Sequence, residues 1–213
     1  MASTTLKLST LLTIVISLTT TINLQLSTAG DPDILSDFIL PPNTPSPPDP
    51  SFFTFTAFRS LLQPSNLTTY NTLKASAAEF PALNGQSVSL AALRFPPGTT
   101  SPPHARPRSA GLMLLLAGTL EVGFVDTSGR LFDRKLRAGD MFVFPKGLVH
   151  FQCNGGGEAA FALAAFGSAD AGTVSVPETL FGTGIDDEVL AESFKTGVDT
   201  IRALKAGLAN AEH

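Results

Sequence analysis

Ser101-Pro102-Pro103-His104-Ala105-Arg106-Pro107-Arg108-Ser109-Ala110-Gly111 and Phe144-Pro145-Lys146-Gly147-Leu148-Val149-His150-Phe151-Gln152 carry the two interior histidines of this 213-residue chain. The third, His213, is the C-terminal residue. Residues two apart on a strand share a face, so side chains 104 and 106 are expected to point the same way. Around these two stretches the pattern is one of short strands and turns. Strands are predicted at 87–95, 111–116, 119–126, 131–137, 141–144, 149–153 and 158–166. Turns are expected at Pro96-Pro97-Gly98, Ala117-Gly118, Ser128-Gly129, Ala138-Gly139-Asp140 and Gly155-Gly156-Gly157. Such regular spacing predicts an antiparallel barrel or jelly roll.

Composition fits that expectation. The chain is 43% hydrophobic and 15% charged, enough for a sizeable core. It has no Trp and one Tyr, so its 16 Phe supply the aromatic packing. The net charge of -4, with no basic patch, argues against nucleic acid as a partner.

Residues 1–29 read as a secretory signal peptide. Lys7 precedes an apolar, Thr-rich run from Leu11 to Leu26, and Ser27-Thr28-Ala29 offers small residues for cleavage. Once it is removed, no membrane attachment is expected. Asn66-Leu67-Thr68 is a glycosylation sequon, with Asn66 the acceptor. Cys153 is the single cysteine, so no intrachain disulfide forms. Its apolar surroundings predict a buried small hydrophobe.

The expected organisation has four parts. Residues 30–58 form an N-terminal arm. Within it Asp31 to Leu40 is a short amphipathic segment and Pro41 to Pro50 is extended. Ser51 to Arg59 alternates Phe with Thr and is predicted as a strand. Residues 59–182 form the barrel and 183–213 a helical segment. There, Asp186-Asp187 should cap a helix to about Phe194, and Val198 to Leu208 repeats apolar residues at helical spacing. Its apolar face suits either intrachain packing or an oligomer contact.

The chain resembles the germin-like proteins, secreted plant members of the cupin superfamily. The resemblance rests on Phe80-Pro81-Ala82-Leu83-Asn84-Gly85, Pro102-Pro103-His104, Gly118-Thr119-Leu120, Ala138-Gly139-Asp140, His150-Phe151-Gln152 and Leu180-Phe181-Gly182, in that order. It implies an all-β cupin jelly-roll barrel with C-terminal helices, found in the extracellular space or apoplast. It further implies a homo-oligomer, a dimer or trimer of dimers, and a manganese ion held by three histidines and a glutamate. Some members oxidise oxalate or dismutate superoxide.

Measured against that pattern, His104 and His150 match the first and last metal histidines. Arg106 stands at the second histidine and Gly111 at the glutamate. Two asparagines thought to orient oxalate correspond to Ala91 and Ser101, and Ile39 replaces the first of two N-terminal cysteines. A permanently protonated guanidinium repels a cation, and glycine has no donor side chain. Manganese is therefore expected to be absent or weakly bound, and oxalate oxidase and superoxide dismutase activity with it. The expected role is a structural, defence-related or small-ligand-binding module. The alternatives are a manganese oxidoreductase with a non-standard ligand set, recruiting Glu121 or Gln152, and metal-free acid–base catalysis by His104 or His150. Arg106 is expected to turn outward or to pair with Glu121 or Asp140. The sharper alternative is that it binds a small carboxylate.

Overall fold

The computed structural model describes residues 31–62 and 67–209. The expected signal peptide, Asn66 and His213 lie outside them. Ten strands form two five-stranded antiparallel sheets facing each other. The first sheet runs in the order β1 (Asn71–Ala75), β2 (Ser89–Phe95), β9 (Ala160–Phe166), β4 (Gly111–Ala117), β7 (Met141–Phe144). The second runs β10 (Val174–Ser175), β3 (Thr100–Ala105), β8 (His150–Cys153), β5 (Thr119–Val125), β6 (Leu131–Arg137). This is the jelly roll that the sequence predicts. Edges β1 and β10 lie on the same side, leaving a seam between the sheets beside β3.

Alternation decides what faces inward. On β9, Ala160, Ala162, Ala164 and Phe166 are buried and their neighbours are not. On β4, Gly111, Met113 and Leu115 turn into the same interior, where Phe95, Leu120 and Val122 complete the packing. Small alanines on β9 let the facing sheet approach, and larger side chains opposite fill the space. Only Leu136 is buried on β6, whose Asp133, Arg134, Lys135 and Arg137 keep that edge polar. Gly118 joins β4 to β5 with φ +76, and a Cβ there would lie 2.6 Å from the Ala159 carbonyl oxygen, so only glycine fits.

Four differences from the sequence reading have local causes. First, Ser51–Arg59 is not a strand. Short 3-10 helices form instead at Pro50–Phe53 and Ala57–Leu62. Pro50 is set for a first turn, and the Asp49 carboxylate accepts from the Ser51 amide at 2.8 Å. The phenylalanines pack edge to face, Phe53 on Phe38 at 5.2 Å and Phe55 on Phe58 at 5.1 Å, rather than lining a sheet. Second, Asp31–Leu40 has no regular element. It is tied down by Asp31, whose carboxylate accepts from Ser168 Oγ and the Ala169 amide, each at 2.6 Å. Third, β1, β3 and β10 are additional strands. In β3, Pro102 and Pro103 lack amide donors, and the register with β8 shifts between Ser101 and His104. That bulge lets both Ser101 and His104 face inward although they are three apart. Fourth, Cys153 is half-buried rather than buried. His150 and Gln152 take the inner face of β8, which leaves Phe151 and Cys153 on the outer one.

Three helices follow the barrel: α1 (Val176–Phe181), α2 (Asp187–Phe194) and α3 (Val198–Ala209). Asp186 caps α2, as expected, accepting from the Glu188 and Val189 amides. Leu190, Ala191 and Ile201 make a separate small core with Phe181 and Ile185. Of the predicted apolar face on α3, Ile201 is buried within the chain while Leu204 stays exposed. Among the described residues, no helix is long and apolar enough to cross a membrane.

Candidate functional site

β3 and β8 lie side by side with His104 directly opposite His150, so the two imidazoles meet inside the barrel. Their ring centroids are 4.2 Å apart. Each ring is held the same way: Nδ1 of His104 lies 2.9 Å from the Pro102 carbonyl oxygen, and Nδ1 of His150 lies 2.9 Å from that of Leu148. A carbonyl only accepts, so Nδ1 donates in both, and the neutral ring keeps its lone pair on Nε2. Phe144 stacks on His150 at 4.5 Å.

Burial disfavours the imidazolium form of both. It lowers the His104 pKa, with the Pro102 bond opposing and the Arg106 charge adding to the fall. It lowers His150 to about 4, helped by the charges of His104 and Arg106 and opposed by the Leu148 bond. The unfolded chain therefore binds more protons than the folded one between about pH 6.5 and about 4. Stability from this pair is present above the unfolded value and is lost as pH falls through that window. The melting temperature is expected to drop by roughly 5 °C more between neutral pH and pH 4.5 in the natural protein than in His150→Gln. Equal slopes in the two proteins, read by calorimetry, would contradict this account of the pair.

Arg106 follows β3 and is 9% exposed. It neither turns outward nor pairs with Glu121 or Asp140. Glu121 lies on the outer face of β5 beside Lys135 at 3.7 Å, and the Asp140 carboxylate accepts from the Arg137 amide at 2.8 Å. Arg106 is cradled instead by the segment before β10. Its Nη1 donates to the Gly172 carbonyl at 3.0 Å and to Thr173 Oγ1, and the guanidinium lies 4.8 Å over the Phe166 ring. Its Nε is the one buried side-chain polar atom without a partner among the described residues. Burial pulls its pKa down, with the nearby Tyr70 and Asp170 opposing. It remains a cation at neutral pH.

The donors do not fit the family's manganese. Among the described residues, no group of three or more His, Cys, Asp or Glu is placed to hold a metal ion. Gly111 points inward, where an added Cβ would meet Phe166 Cε1 at 3.2 Å and Phe144 Cδ2 at 3.8 Å. It offers no oxygen there. Glu121 is on the wrong face to replace one, and Gln152, though inside the barrel, brings a neutral amide. Two imidazoles and a guanidinium do not make a site for a hard divalent cation.

What the site does form is a pocket of about 190 Å³ in the seam between the sheets. Tyr70, Thr72 and Lys74 project into it from β1 and its approach, and Ser101, His104 and Arg106 from β3 and its exit. Thr173 and Ser175 close it. No carboxylate lines it. His150 sits behind His104, outside the lining, so the expected convergence holds for His104 and Arg106 only. A neighbouring pocket of about 290 Å³ shares Arg106 and Lys74 but is walled by Glu79 and Asp170. The sequence reading missed Tyr70, Thr72 and Lys74. Their spacing of two was the available signal.

The Cupin family model matches residues 60–202. The putative germin-like protein 9-2 of Oryza sativa subsp. japonica is 58% identical over 189 residues, covering 87% of this chain and 88% of that one. Germin-like protein 9-3 of the same plant is 55% identical over 206 residues, covering 94% and 96%. Among solved structures, an oxalate oxidase superposes with a TM-score of 0.75 at 32% identity, over 84% of this chain and 98% of its own. An oxalate oxidase in complex with the substrate analogue glycolate gives a TM-score of 0.75 at 31% identity over the same shares.

Proposed function

The chain belongs to the germin-like proteins of the cupin superfamily, and from that premise we propose that it is a secreted, apoplastic module that binds a small carboxylate in its barrel without manganese. The observation that carries the proposal is Arg106, a buried cation in a pocket with no acid and with its Nε unpaired. A buried polar donor left unsatisfied costs about 1–3 kcal/mol, which a bound acceptor would recover. A carboxylate supplies that acceptor and the missing charge, and arginine suits its planar geometry. His104 adds a second polar wall, and Phe166 supports the guanidinium from below. The expected homo-oligomer of the family would carry one such pocket per protomer.

The test uses a built-in reporter. Tyr70 is the only tyrosine, the chain has no tryptophan, and Tyr70 lines the pocket. Chelator-treated protein titrated with glycolate should give a saturable change in tyrosine emission and a matching calorimetric isotherm. Absence of both signals up to about 10 mM, with acetate and malonate also silent, would overturn the proposal.

A further inference from the structure

We infer that the seam pocket selects a dianion, with Lys74 as a second anchor facing Arg106. This rests on the carboxylate-binding reading above and goes beyond it in naming the ligand class.

Lys74 and Arg106 reach the pocket from different sheets. Lys74 comes from β1, the edge of one, and Arg106 from the end of β3 in the other. Lys74 forms no ion pair with a described carboxylate. The two nearest candidates are already engaged: Glu79 Oε2 accepts from Ser76, and Asp170 Oδ2 pairs with Arg108 at 2.6 Å. Both carboxylates feel the Lys74 charge only as a lesser influence. The remaining groups of the seam pocket are hydroxyls, an imidazole and Pro102.

A monoanion on Arg106 would leave the Lys74 charge uncompensated across the pocket. A dianion answers both cations at once, and the hydroxyls of Tyr70, Thr72, Ser101 and Thr173 offer neutral donors to its remaining oxygens. The small volume restricts the ligand to a short chain or a single tetrahedral centre. Two sources share this chemistry, a short dicarboxylate and an inorganic oxyanion.

The experiment compares glycolate, malonate and inorganic phosphate by calorimetry on the chelator-treated, full-length secreted protein, at a pH where malonate and phosphate are dianions. Malonate or phosphate should bind about tenfold tighter than glycolate. In Lys74→Gln that preference should vanish while glycolate affinity changes by less than about threefold, and Lys74→Arg should restore it. Whether malonate or phosphate binds tighter identifies the source. Glycolate binding with no dianion preference, or a preference that survives Lys74→Gln, would overturn this inference alone. Failure of all three ligands would overturn it together with the carboxylate-binding reading. Lys74 is exposed on an edge strand, so its substitution leaves the core intact.

Discussion

Introducing Arg106→His together with Gly111→Glu is expected to raise bound manganese from near zero to about one ion per protomer. Half of the family's ligand set is already in place. His104 and His150 stand opposite each other, each with Nδ1 fixed on a backbone carbonyl and Nε2 free. Such outer bonds orient metal-binding imidazoles and are slow to be rebuilt by chance. Position 106 shares the seam pocket with His104, and position 111 faces inward with Met113 and Leu115. The glutamate must displace the Phe166 ring by a few tenths of an ångström, since a Cβ at 111 approaches it to 3.2 Å. Each single variant should fall well short of the pair, because three donors without a carboxylate, or a carboxylate beside a guanidinium, remain poor sites. Elemental analysis of the folded proteins checks this. A folded double variant that stays empty would mean that the interior differs from a germin metal cage by more than its ligands.

Arg106→Gln should weaken glycolate binding by about 30-fold or more, the cost of losing a charge-assisted contact of roughly 2 kcal/mol. Two consequences separate a ligand-binding role from a merely structural one. The melting temperature should change by only a few degrees, because the guanidinium already carries an unsatisfied Nε that the amide removes. The imidazoles should also titrate at higher pH, because the Arg106 charge helps to hold both His104 and His150 down. Unchanged glycolate affinity, measured by calorimetry, would assign Arg106 to packing against Phe166 alone.

The parts of the fold legible in the sequence were those with clean alternation and glycine turns. β4, β5, β6 and β9 fall within a residue or two of their predicted spans. The α2 helix was legible from its Asp186 cap. Elsewhere local signals misled. The Phe-Thr alternation of 51–59 imitates a strand, but its rings pack on Phe38 and Phe80, contacts that only the tertiary arrangement supplies. Pro102 and Pro103 hid β3 because prolines read as breaks, yet the strand absorbs them as a bulge. β1 was hidden because Asn71-Thr72-Leu73-Lys74-Ala75 is short and polar, as an edge strand tends to be. At the site, the histidines and the intruding Arg106 stood out by spacing. The destination of Arg106 did not. Its cradle is Gly172 and Thr173, more than sixty residues away, and nothing local links them. With β1 unread, Tyr70 and Lys74 could not be brought to the pocket.

The most direct measurement is manganese per protomer, by elemental analysis, in protein purified from a secreting plant host grown with ample manganese. The account predicts a value near zero in a folded oligomer. A value near one would contradict it, showing that His104 and His150 recruit a ligand set beyond the one their surroundings provide.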